Sequence, residues 1–180
     1  MKTTSTLLVL AGLGMLAIAG CLVSGTFVET LKINAFYSKS DGEFHSHGVD
    51  LTTKEVWVDH QDDIKNISDV RVRATIEEQS GISDATGAVY FSDNGSYTTP
   101  EAVRAAADAF IVFSGLTVPA GGTVTMKFAQ SASYRQNLDQ ALELVETGQF
   151  YIYVLTPEGA FDLYVDDITV MVTFDAGPSS

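Results

Sequence analysis

Few side chains in this sequence are placed to do chemistry, and the most distinctive is the single cysteine, Cys21. A lone thiol excludes an intramolecular disulfide. It follows an apolar run over residues 7–19 (LLVLAGLGMLAIA) and the small residues Ala19 and Gly20. There its sulfur is the one side chain that can accept a lipid as a thioether. His45 and His47 share one face of an extended strand, about 6.5–7 Å apart. That spacing suits a transition metal if His60 or Asp62 supplies a third ligand. Asp162, Asp166 and Asp167 offer hard oxygens to calcium, which takes about six to eight. Tyr151 and Tyr153 alternate with Phe150 and Ile152, so their rings would stand on the outer face of a sheet and could stack on sugar rings.

Each group has a plainer account. The histidines read as exposed polar strand residues near a turn. The aspartates read as an acidic edge that discourages strand-to-strand pairing. The tyrosines could be covered by the helix that precedes them. No Gly-x-Ser-x-Gly elbow, His-Glu-x-x-His pair or phosphate-cradling glycine loop occurs in the chain. No resident cofactor is expected, although calcium or a transition metal would fit the groups above.

The elements that position these residues follow from the pattern. The chain has 180 residues, 46% of them apolar, with a formal charge of −13. This is the size and composition of one globular domain. So acidic a chain repels nucleic acid and anionic surfaces, and no nucleic-acid partner is expected. The apolar run over residues 7–19 is too short for a membrane span, which needs about 20 residues. It suits a signal-peptide core behind Lys2.

The ending Ile18-Ala19-Gly20-Cys21 resembles the lipobox of bacterial lipoproteins at all four positions. The resemblance implies cleavage between Gly20 and Cys21, then acylation of the sulfur and the new amine. Several acyl chains anchor firmly where one would be marginal. Leu22, in place of an aspartate, favours the outer membrane where the cell has one. The expected layout is a signal peptide over residues 1–20, a lipidated anchor and very short tether over 21–25, a domain over 26–176 and a polar tail over 177–180.

Within the domain, residues 25–37 alternate as one half-buried strand, and residues 44–58 read as strand-rich. Residues 59–67 read as helical turns capped by Asp59. Val70, Val72, Ala74 and Ile76 alternate with polar neighbours as a strand wet on one face. Further strands are expected over 87–92, 109–116, 123–128 and 150–155. Asn94-Gly95 is expected to turn with positive backbone angles. Thr99-Pro100 should cap and start a short helix. One amphipathic helix is predicted over 133–147, with a capping box at Ser133 and Gln136 and a stop at Gly148. Phe161, Leu163 and Val165 share odd parity, whereas Ile168, Val170, Val172 and Phe174 are even. A bulge at Asp166-Asp167 reconciles them. The sum is an all-β chain: a two-sheet antiparallel β-sandwich, jelly-roll or immunoglobulin-like, with one helix.

The stretches VDLTTKEVWVDHQDDIKNI (residues 49–67) and SYRQNLDQALELVETGQF (residues 133–150) resemble uncharacterised single-domain lipoproteins of environmental bacteria. That resemblance implies no activity. The sequence therefore points to a non-enzymatic lipoprotein held at the cell envelope through Cys21, outside the cytoplasm. It would act as a scaffold or subunit of an envelope assembly with a protein partner. A glycan- or metal-binding sandwich module is the alternative, and an envelope hydrolase the third reading.

Overall fold

The computed structural model describes residues 25–60 and 64–177. Cys21, Gly20 and the leader fall outside it, as do residues 61–63 and 178–180. The described strands are β1 (Gly25–Ile33), β2 (Phe36–Lys39), β3 (His47–Asp50), β4 (Ile64–Glu78), β5 (Ala85–Ser92), β6 (Phe110–Val118), β7 (Thr123–Met126), β8 (Gln149–Leu155) and β9 (Asp162–Ala176). Four helices lie among them: α1 (Glu55–His60), α2 (Pro100–Ala105), α3 (Phe128–Tyr134) and α4 (Leu138–Glu146).

The strands form two antiparallel sheets. One runs β1-β9-β4-β7, with β2 also paired to β9, and the other runs β3-β8-β5-β6. The pairs nest when β1 and β2 are taken as one interrupted strand. First pairs with last, β3 with β8, β4 with β7, and β5 with β6. A long antiparallel hairpin wrapped onto itself gives this order, which is that of a jelly roll.

The two inner faces supply the core. Val70, Val72, Ala74 and Ile76 of β4 are all buried, as the alternation predicts. Across the gap stand Phe150, Ile152 and Val154 of β8 with Val89 and Phe91 of β5, also buried. Each such valine, isoleucine or phenylalanine side chain contributes about 1.5–3 kcal/mol on burial. The parity change in β9 is present: Phe161, Leu163 and Val165 are buried, and so are Ile168, Val170, Val172 and Phe174. The register against β4 slips between Arg73 and Thr75, where Asp167 adopts φ +50°. The expected bulge is there.

It also explains a departure. Residues 25–37 are not one strand, because the chain breaks at Asn34-Ala35, opposite the bulge. β1 pairs with residues 168–176 and β2 with 162–165. Beyond the break, even-numbered Ser38 is buried and Ala35 is exposed.

Three other local expectations need correction. Residues 44–58 hold only the short β3, and Val56-Trp57-Val58 is helical, within α1. Asp50 ends β3 by accepting from the Thr52 backbone N–H (2.9 Å) and hydroxyl (2.6 Å). This Asx turn redirects the chain, and Trp57 docks edge-on against Phe174. Packing thereby overrides the strand preference of valine and tryptophan. Residues 59–67 belong mainly to the end of α1 and the start of β4. The helix over 133–147 is two, α3 and α4. Between them Arg135 bridges Phe113, Gln136 N–H donates to Val112 O (2.8 Å) and Asn137 Nδ2 to Ile111 O (2.9 Å). Satisfying the free edge of β6 interrupts the helix. The predicted stripe holds in α4, where Ala141 and Val145 are buried, and Gly148 follows at φ +80°. The Thr99 cap holds too, its hydroxyl accepting from Ala102 N–H at 3.2 Å.

Candidate functional site: a groove beside Tyr151

The outer face of the second sheet carries an open groove of about 540 Å³ where β3 pairs with β8. Gly48 pairs with Tyr151 and Asp50 with Gln149, and Asp93 and Thr147 complete its polar wall. Two glycines set the tyrosine ring. A Cβ at Gly48 would lie 3.3 Å from Tyr151 Cε1, and one at Gly95 only 2.2 Å from the same atom. The ring is therefore gripped along one side, which leaves the other side to the groove. Gly95 is not at positive φ, nor is Asn94, contrary to the expected turn. Its lack of a side chain serves the close approach to Tyr151 instead.

A polar network holds the Gly95 loop in place. Ser46 Oγ donates to Gly95 O at 2.9 Å. Tyr153 is fully buried, so it offers no face to a sugar, in contrast to its expected place on an open face. Its ring packs against Phe44 and Tyr97, and the loop around residues 94–97 lies over it. Its hydroxyl donates to Asn94 O (2.8 Å) and accepts from Tyr97 N–H (3.3 Å). Burial pushes the Tyr153 hydroxyl pKa up. Tyr97 OH in turn donates to Asp108 at 2.5 Å, and Ser92 Oγ to the same carboxylate at 3.0 Å. The Tyr97 bond comes first among the causes that hold Asp108 below its usual range. Tyr153 is thus a positioning residue for the loop that leans on Tyr151.

At the other end of the groove, Asp50 accepts from Thr52 and from Gln149 Nε2 (3.2 Å). The Thr52 hydroxyl is the largest influence lowering its pKa. An aromatic edge flanked by carboxylate and amide groups suits a neutral, hydroxyl-rich ligand. Sequence reasoning found Tyr151 but missed Gly48, Gly95, Asp50, Asp93 and Gln149. The Asn-Gly pair was legible only as turn chemistry.

Among the described residues the metal candidates do not assemble, and Asp62 lies outside those residues. His45 is exposed and precedes β3, while His47 lies within it, half-buried and stacked on Phe36 of β2 at 3.7 Å. His60 closes α1, and its side chain lies outside the described residues. Asp162 pairs with Lys39 Nζ at 3.1 Å, Asp167 pairs with Arg73, and Asp166 Oδ1 accepts from Asp167 N–H at 2.6 Å. Among the described residues no three His, Cys, Asp or Glu side chains are grouped to hold a metal ion.

No protein-family model matches the chain, and no curated protein does. Among solved structures, the chain is similar to one titled Desmodium yellow mottle tymovirus, at 11% identity and TM-score 0.27, covering 86% of this chain and 90% of that one. It is also similar to turnip yellow mosaic virus at 9% identity and TM-score 0.31, covering 87% and 97%. A third is infectious bursal disease virus Gx strain, at 10% identity and TM-score 0.35, covering 87% of this chain and 34% of that one. Identities and scores this low say nothing about what this chain binds or does.

Proposed function

We propose that this chain is a non-enzymatic lipoprotein of the cell envelope, anchored through acylated Cys21 and acting as a scaffold or subunit of an envelope assembly. The observation that supports this reading is how soon the domain begins. β1 starts at Gly25, and the few residues from Cys21 reach at most about 14 Å. A jelly roll tied this closely stays at the bilayer surface, which suits packing against a membrane-held neighbour more than reaching for distant ligands. No helix among the described residues is long and apolar enough to cross a membrane. Attachment in this reading rests on the acyl chains, with the outer membrane favoured where there is one.

The test is cross-linking in intact cells followed by purification through a tag after Ser180. A stoichiometric envelope protein supports the subunit reading. Recovery of the chain alone contradicts it.

A second reading is a glycan-binding module, favoured by the groove beside Tyr151. Binding to a glycan panel that Tyr151→Ala abolishes supports it. Binding unchanged by that substitution removes the groove from consideration.

A further inference from the structure

We infer that α1 is the part of the domain that rests on the lipid bilayer, with Trp57 and Val58 at headgroup level. The inference deepens the reading of Cys21 as a lipid anchor and rests on it.

Position carries the argument. Gly25, the first residue of β1, pairs with Ala176 at the end of β9. Two residues back along β9, Phe174 pairs with Phe27 and packs against Trp57, with ring centroids 6.0 Å apart and planes at 78°. Two strand residues span about 7 Å. α1 therefore lies at the end of the sandwich where the chain enters from Cys21. A link of about 14 Å at most keeps that end within reach of the headgroups.

The side chains suit that position. Val58 is 54% exposed, although valine is apolar. Trp57 is only partly buried, and it is braced on a second side by Gly148, where a Cβ would come within 3.1 Å of Cζ2. A fixed indole with free surface is the kind of side chain that settles at a membrane–water interface, where its amphipathic ring is favoured. Glu55 and Asp59 flank the pair on α1. Their charge, on a chain of net −13, commits the contact to zwitterionic lipid and opposes an anionic surface.

Trp57 is the chain's one tryptophan, so its fluorescence reports on α1 alone. The protein purified from membranes is reconstituted into phosphatidylcholine vesicles with brominated acyl chains. Quenching is expected, strongest for bromines nearest the headgroup. It should weaken in phosphatidylglycerol vesicles and in Val58→Asp, a change at an exposed position that leaves the core untouched. Trp57 left unquenched in the lipidated protein overturns the inference and leaves α1 to a protein neighbour. The mass of the N-terminal peptide from the same sample reads the anchor separately, and an unmodified Cys21 overturns that reading. A further arm couples the Cys21 thiol of the chain from Cys21 onward to a maleimide lipid. The buried core residues among those described lie within 31–174, all of them downstream of Cys21. Quenching in that arm supports the role of α1 whatever the natural fate of Cys21, and its absence overturns it.

Discussion

Replacing Glu78 by glutamine should remove a pH-dependent staple at the end of the sandwich opposite α1. Glu78 is 2% exposed. Its Oε1 accepts from Ser80 N–H, and its Oε2 from Gly81 N–H and Gly121 N–H, each at 2.9 Å. Burial alone would raise its pKa. The Ser80 side chain and the backbone N–H groups of Gly121, Gly81 and Ser80 outweigh that and hold it at about 2, against an ordinary 4.5. The gap is worth roughly 3 kcal/mol of stability at neutral pH. Because the folded-state value is depressed, that stability is present in full above pH 4.5 and is lost as pH falls toward 2. Glutamine keeps the shape but turns one acceptor into a donor that faces a donor. Thermal and urea unfolding of wild type and Glu78→Gln at pH 7 and near pH 2.5 provide the assay. A loss of roughly 5–10 °C is expected at pH 7, shrinking markedly at the lower pH, where the unfolded-state carboxyl is protonated and the folded one has begun to be. A difference that is the same at both pH values, or absent at pH 7, refutes the reasoning.

Three further outcomes follow from the geometry. Gly95→Ala places a methyl 2.2 Å from Tyr151 Cε1 and should cost about 1–3 kcal/mol in urea unfolding, with a neutral result contradicting the gripped ring. Asp167 sits at φ +50° in the β9 bulge, so Asp167→Val should cost about 1–2 kcal/mol. Asp167→Gly, losing only a surface ion pair, should stay within about 1 kcal/mol of wild type; equal losses would argue against a backbone origin. Burial first, then neighbouring His45, lowers the pKa of His47 from 6.5, and its Nε2 is buried without a partner. The stability that its neutral form provides is present above pH 6.5 and lost as pH falls through the lower folded value. His47→Phe, which can keep the stack on Phe36, should flatten that acid-side decline, measured by thermal unfolding from pH 7 to 5. An unchanged decline would place its cause elsewhere.

Much of the fold was legible because burial imposes period two on strands. Val70 to Ile76 and the parity change across Asp166-Asp167 could be read directly, and both are present. What could not be read depends on contacts distant in sequence. Val56-Trp57-Val58 has strand propensity, but Phe174 and Gly148 draw Trp57 into a helical turn. The break between α3 and α4 exists because the edge of β6 needs partners. At the groove, Tyr151 stood out as an aromatic of outward parity. Tyr153 has the same parity and is buried, because a loop more than 50 positions earlier in the chain folds over it. Gly95 shows the same limit, since a glycine chosen for close approach looks like a turn glycine until its neighbour is known.

In the proposed function Cys21 carries the anchor. Metabolic labelling with palmitate, combined with fractionation of wild type and Cys21→Ser, decides this. Label on the wild-type protein in the membrane fraction is predicted, together with an unlabelled Cys21→Ser chain that retains its leader. A wild-type chain without label, or label that persists in Cys21→Ser, would contradict the account.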